Sequence, residues 1–326
     1  MSYEEIIEDI KSGLTGEAEA DIQYLQDKIA AYEGHEERDR IAGVCGQMIY
    51  ELLPDEFKDE FSLLNNPERL GLDEYSAKAA AMIEAGDTEG AGQKLKEGIE
   101  LLEGSDVYRE KDGIPFYDFR KPMEEAIFKT RYGFEKKIKL VPEPVVGLYR
   151  MYAGLLYEKK EHEEAIALLK KALKWNPYHQ KTSVEYADHL RQIGRLGDFR
   201  QVLVDVFRFA YKSETLANCY RRLGWYFSEK SQWEPAAVCA ILAGRYGENN
   251  GYLEQEKKYI LESAGEGFVI PQDDDIERIA GEHGIPVRPS KEIINIARSR
   301  AEEFKELGNE EAQKYFDDIV QDLNRI

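Results

Sequence analysis

The sequence predicts an all-α fold, a solenoid of stacked helix pairs, and three observations carry that expectation. Apolar residues recur at three- and four-residue intervals along most of the 326-residue chain. Related segments return with a period near 34 residues through its middle. Strand-like patterning is confined to the short piece Gly267–Ile270.

Taken in order, residues 3–12, 17–33 and 37–53 are amphipathic, as in Ile22, Leu25, Ile29 or Ile41, Val44, Met48, Leu52. Pro54 and the turn Asn65-Asn66-Pro67 punctuate them, so residues 1–66 form an N-terminal helical cap. Residues 67–105 hold a degenerate repeat: Tyr75, Ala79 and Met82, the turn Gly86-Asp87, then Ala91, Leu95 and Gly98. Gly90 and Gly92, in its second helix, read as marks of close helix packing. Residues 106–144 break the rhythm with a dense set of Phe116, Tyr117, Phe119, Arg120, Glu124, Glu125, Arg131, Tyr132 and Phe134. The expectation is a connection whose aromatics plug the solenoid, with a ligand pocket as the alternative.

Residues 145–250 carry three clearer units. The first has Tyr149, Tyr152, Ala153 and Leu156, then Ala165, Leu169 and Ala172, and closes on Asn176-Pro177. The second has Tyr186, Ala187 and Leu190, Gly194 at the turn, then Phe199, Leu203 and Val206. The third has Tyr220, Leu223-Gly224 and Phe227, then Trp233, Ala236, Ala240 and Ala243. Its Pro235 falls early in the second helix, where a missing amide hydrogen costs little. In the C-terminal helices, residues 251–326, Ile296, Ala297, Phe304, Gly308, Ala312, Phe316 and Ile319 suggest a last degenerate unit.

An aromatic, a large residue beside a small one, a second helix with small residues and a closing Pro resemble the tetratricopeptide repeat. Segments such as Asp21-Ile-Gln-Tyr-Leu25, Tyr117-Asp-Phe-Arg-Lys-Pro122, Trp175-Asn-Pro177 and Gly284-Ile-Pro-Val287 also resemble an uncharacterised bacterial family of such proteins over nearly the whole chain. The resemblance implies that the first helix of each pair lines a concave groove. That groove would present Arg150 and Tyr157, Lys181 and Arg191, then Arg221 and Trp225. Guanidinium groups and aromatic faces anchor the carboxylates and side chains of an extended peptide.

Charge sharpens the expectation. The chain carries 44 basic and 64 acidic residues, a net charge of −20. The distribution is uneven: −17 over residues 1–105, +1 over 106–144, +4 over 145–250 and −8 over 251–326. So acidic a chain is a poor nucleic-acid or anionic-membrane binder, while its mildly basic middle suits an acidic protein or peptide. No run of about 18 apolar residues and no basic, apolar leader occurs, and Cys45, Cys219 and Cys239 lack metal spacing. A cytoplasmic protein with reduced thiols is expected.

Catalytic signatures are missing from the sequence. It holds no HExxH, GxGxxG, phosphate-loop or GxSxG pattern. His35, His162, His179, His189 and His283 read as exposed or boundary residues. Asp273-Asp-Asp275 reads as the acidic first turn of a helix, not as a cation loop. The expectation is a non-catalytic peptide-binding scaffold with no cofactor and no metal. The alternatives are an enzyme or small-ligand sensor with a pocket at 106–144, or a self-associating scaffold.

Overall fold

The computed structural model describes residues 3–35, 37–54, 69–247 and 250–324. The predicted turn Asn65-Asn66-Pro67 lies outside them. Among the described residues the chain is an all-α solenoid of helix-turn-helix units. None of its helices is long and apolar enough to cross a membrane.

Helices α1 (Tyr3–Ser12), α2 (Ala18–Ala31) and α3 (Arg38–Leu52) close around their own core of Ile6, Ile10, Leu25, Ile41, Cys45 and Ile49. Asp21 ties the α1–α2 turn, accepting from Thr15 N at 2.7 Å, Thr15 Oγ1 at 2.9 Å and Gly16 N at 2.8 Å. These donors stabilise its carboxylate and hold its pKa below the ordinary value.

The repeat pairs follow: α4 (Leu72–Glu84) with α5 (Thr88–Gly104), then α7 (Val145–Glu158) with α8 (His162–Trp175). Next come α9 (Gln180–Gln192) with α10 (Leu196–Val206), and α11 (Ser213–Ser228) with α12 (Trp233–Tyr246). Small residues let paired helices approach. A Cβ at Gly98 would stand 3.0 Å from the Tyr75 ring, and one at Gly224 would stand 3.4 Å from Cys239 Cβ. Gly90 and Gly92 do not do this work. Gly90 donates to the Asp87 carboxylate at 2.8 Å as part of the α5 N-cap, and Gly92 has ordinary clearance.

One turn geometry recurs. The first helix of each pair ends on a residue of positive φ: Gly86, Lys160, Gly194 and Ser231. The next amide reaches five residues back, as Asp87 N to Met82 O, Glu161 N to Leu156 O, Arg195 N to Leu190 O and Gln232 N to Phe227 O. This is the Schellman stop, which satisfies end carbonyls and favours glycine. Lys160 (φ 61°) and Ser231 (φ 53°) adopt it against the preference of a side chain. Lys160→Gly is therefore expected to raise the unfolding free energy by about 0.5–1 kcal/mol in urea melts, and an unchanged or lower value would contradict the strain.

The insertion leaves the stack intact, because α4 and α5 both pack on α7 across it. Strands β1 (Phe116–Tyr117) and β2 (Lys139–Leu140) pair in parallel, with Phe116 opposite Lys139, and α6 (Pro122–Tyr132) crosses between them. The Gly267–Ile270 piece, in contrast, is a loop, with no strand beside it to pair with among the described residues. Phe119, Met123 and Phe128 are buried, and the Phe119 ring stacks on Tyr117 and Tyr178. These aromatics fill the core, whereas Tyr132 and Phe134, counted with them from the sequence, are exposed.

Three buried carboxylates latch the insertion to the repeats. Asp118 accepts from Val146 N at 2.6 Å, beside the Arg120 guanidinium, and so caps α7. Glu124 accepts from Arg120 N at 3.0 Å, Asn176 Nδ2 at 2.9 Å and the Tyr211 hydroxyl at 3.3 Å. Burial raises the pKa of both groups. Glu143 accepts from Leu70 N at 2.9 Å, Leu72 N at 2.7 Å and the Tyr108 hydroxyl, holding the start of α4.

Beyond the repeats, α13 (Asn250–Ala264) and α14 (Asp273–Glu282) pack on α12. The last pair, α15 (Lys291–Glu306) and α16 (Glu310–Leu323), folds back, with α15 against α6. Arg131 pairs with both oxygens of Glu292 at 2.9 and 2.7 Å and donates to Arg208 O at 2.8 Å. Asp322 accepts from Ser213 N at 2.7 Å and Ser213 Oγ at 2.8 Å, capping α11. Insertion and C-terminal pair thus meet over the loops between repeats.

Candidate functional site

The first helices of the pairs are joined by two ion pairs that repeat with the units. Arg150 on α7 binds Glu185 on α9 through two bonds of 2.8 and 2.6 Å. Arg222 on α11 binds Asp188 on α9 in the same way, at 2.9 and 2.7 Å. Both are bidentate and partly shielded, the geometry in which such pairs hold best. They spend the two charges on each side, so Arg150 serves the stack.

Beyond these pairs lies a cleft of about 470 Å³ between α9, α11 and α13, lined by Arg191, Arg221, Trp225, Tyr252 and Tyr259 among others. The Arg191 guanidinium lies over the Trp225 ring, 4.9 Å from its centroid, and the indole meets Phe199 edge-on at 5.8 Å. Stacking of this kind orients a guanidinium without neutralising it. The Arg191 Nε is buried and has no hydrogen-bond partner among the described residues. Arg221 lies over the Tyr252 ring at 4.9 Å and donates to Asn218 Oδ1 at 3.0 Å. Burial, reinforced by Glu256, pushes the Tyr252 phenol well up, so the ring stays neutral.

Of the six groove residues the sequence suggests, the structure brings Arg191, Arg221 and Trp225 into this cleft. Arg150, Tyr157 and Lys181 lie outside its lining. The Tyr157 hydroxyl accepts from Gln192 Nε2 at 2.8 Å, and its ring packs edge-on against His162 and His189. Lys181 is exposed at the start of α9.

The same cluster corrects the reading of one histidine, His189, as exposed or boundary; His35, His162, His179 and His283 are half-buried. His189 is 3 % exposed, and its Nδ1 meets His162 Nδ1 at 3.2 Å. Burial and the His162 charge lower its pKa. Among the described residues, no three or more His, Cys, Asp or Glu side chains gather as metal ligands would.

Sequence reasoning passed over Tyr252 and Tyr259, which line the cleft, and Asn218 and Gly247, which lie against Arg221 outside that lining. Tyr252 and Tyr259 belong to α13, counted with the C-terminal helices, and only the fold places them against α11. Gly247 has a steric reason: a Cβ there would stand 2.6 Å from Arg221 Nη2.

Other clefts are larger, among them one of about 560 Å³ lined by Lys257, Lys258 and Ile270. One of about 950 Å³ lies between α12, α14 and α15, but its Arg245 and Arg288 are paired with Asp273 at 2.6 Å and Glu277 at 2.8 Å. Another, of about 740 Å³, lies beside α16; Arg221 and Gly247 line it as well, and of the insertion only Lys121 does.

Comparison with known proteins gives one family. No curated protein matches the chain. A family model described as tetratricopeptide repeat matches residues 156–222, which run from the end of α7 to the middle of α11. That stretch contains the Arg191 side of the cleft and Arg221. Residues 156–222 are thus similar to the tetratricopeptide repeat, and they sit within a solenoid of like helix pairs.

Proposed function

We propose that the chain is a non-catalytic scaffold of the cytoplasm that binds an acidic protein or peptide segment in the cleft around Trp225. Tetratricopeptide repeats are in general protein-interaction modules, which supports the reading. The observation that carries it is the state of the two cleft arginines. Arg191 and Arg221 are stacked on aromatic rings, and no acid pairs with either among the described residues. A stacked, unneutralised guanidinium beside a half-buried indole suits a carboxylate flanked by apolar side chains.

The test is co-purification from the native cytoplasm with a triple variant, Arg191→Glu, Arg221→Glu and Trp225→Ala. At roughly 2 kcal/mol per anchor, affinity should fall by more than about a hundredfold, and the partner seen by mass spectrometry with the wild type should disappear. A partner retained undiminished by the folded variant would refute the cleft assignment.

A further inference from the structure

We infer that Tyr157, His162 and His189 are positioning residues for Arg191, and that they hold it on Trp225 only while the two histidines share a single proton. This rests on the binding role proposed above and adds what fixes its stacked anchor.

The last turn of α9 is held from two sides. Asp188 and Arg191 stand three residues apart and so share one face of the helix. That face meets α11, where Asp188 pairs with Arg222 and Arg191 lies on the Trp225 ring. His189 and Gln192, also three apart, share the adjoining face. It meets the α7–α8 pair, where His189 contacts His162 and Gln192 donates to the Tyr157 hydroxyl at 2.8 Å. The Tyr157 ring stands edge-on to both histidines, with centroids 5.3 Å from His162 and 5.1 Å from His189.

Arg191 depends on this turn. It is the last residue but one of α9, and helix ends open more readily than helix middles. Among the described residues its Nε has no hydrogen-bond partner, and the head group rests on a ring face. A ring face attracts a guanidinium without fixing its direction as a fork of hydrogen bonds would. Where the turn sits therefore decides where Arg191 points.

The contact that holds the turn counts protons. The two Nδ1 atoms are 3.2 Å apart, and a bond between them needs one nitrogen to donate and the other to accept. A second proton makes both of them donors on two positive rings, and the contact is lost. The groups facing His189 are Tyr157 from α7, His162 from α8, and Asp188 and Glu185 on α9 itself. Both acids are already engaged, by Arg222 and Arg150. Burial first, then His162, lower the His189 pKa from 6.5. With a lowered histidine pKa the single-proton contact is intact above 6.5 and is lost as pH falls through the lowered value.

Nuclear magnetic resonance of the full chain, labelled with ¹⁵N-arginine, tests this without a partner. The buried Nε–H of Arg191 exchanges slowly, and the indole face shifts its proton upfield. Arg191→Lys identifies the signal, and Trp225→Ala should return it to the ordinary arginine position. In the wild type the upfield shift should disappear between about pH 7.5 and about pH 5. His162→Asn should preserve it over that range, because the amide oxygen it supplies accepts from His189 in either protonation state. Tyr157→Phe, which removes only the Gln192 bond, should reduce the shift at every pH, with thermal melting to show that each variant folds. A wild-type shift indifferent to pH would overturn the inference. So would a loss that persists in His162→Asn, which would place its cause elsewhere, as at His179. Either result leaves the cleft to the co-purification test, whereas a wild-type signal unmoved by Trp225→Ala would overturn the stacked anchor itself.

Discussion

Replacing Glu143 by alanine is expected to cost about 3–5 kcal/mol of stability and to release the first repeat from the rest of the solenoid. The side chain is fully buried and accepts from the amides of Leu70 and Leu72 and from the Tyr108 hydroxyl. Removing it strands these donors, at about 1–3 kcal/mol for each one left unpaired and buried. The damage should be local first, because Leu72 opens α4 and its amide has no partner within the helix. Hydrogen exchange should show residues 69–84 losing protection well before α11. Glu143→Gln, which keeps one acceptor oxygen, should recover part of the loss. A Glu143→Ala protein within about 1 kcal/mol of wild type would show that the latch contributes nothing.

A second large effect should appear with pH at His179. This residue caps α9, its Nδ1 accepting from Thr182 N at 3.2 Å and meeting Thr182 Oγ1 at 2.7 Å. Burial, together with the charges of Arg150, Lys181 and Lys212, lowers its pKa from 6.5 to about 4. The cap requires an unprotonated Nδ1, and a positive charge at a helix N-terminus is unfavourable. A histidine whose folded pKa is depressed contributes stability that is fully present above 6.5. That contribution is lost as pH falls through the folded value near 4. The loss amounts to about 3 kcal/mol across this window. His179→Asn keeps an acceptor at the cap and removes the titration. Urea melts should give similar stabilities for the two proteins at neutral pH, with wild type falling further behind as the solution is acidified. Parallel pH profiles would show that His179 does not carry the dependence.

The two effects lie at different levels of legibility. His179 stands just before a helix that the 34-residue rhythm already places, and its capping role follows from where that helix starts. Glu143 gives no such sign. Its partners at Leu70 and Leu72 are more than seventy residues away in sequence, and only the packing of α4 and α5 on α7 brings them within reach. The insertion shows the same division. Its aromatic density announces the burial of Phe119 but not the exposure of Tyr132 and Phe134, and the carboxylates that fasten it have no periodicity to betray them. His189 alone departs from the exposed-or-boundary reading for a related reason: it meets His162 across two different helices, and that contact is tertiary.

For the cleft, the helix pairs, their repeat and the first-helix positions of Arg191, Arg221 and Trp225 are legible in the sequence. These follow from local periodicity, which is set by backbone geometry every 3.6 residues. Which cations are spent and which are left follows from the packing of one repeat on the next. Arg150 and Arg222 find Glu185 and Asp188 on the neighbouring helix, whereas Arg191 and Arg221 find aromatic faces. The physical reason is that helical spacing fixes a residue's direction from its own axis, while charge pairing depends on what the next helix presents at 3 to 5 Å, and that is set by the stacking of units distant in sequence.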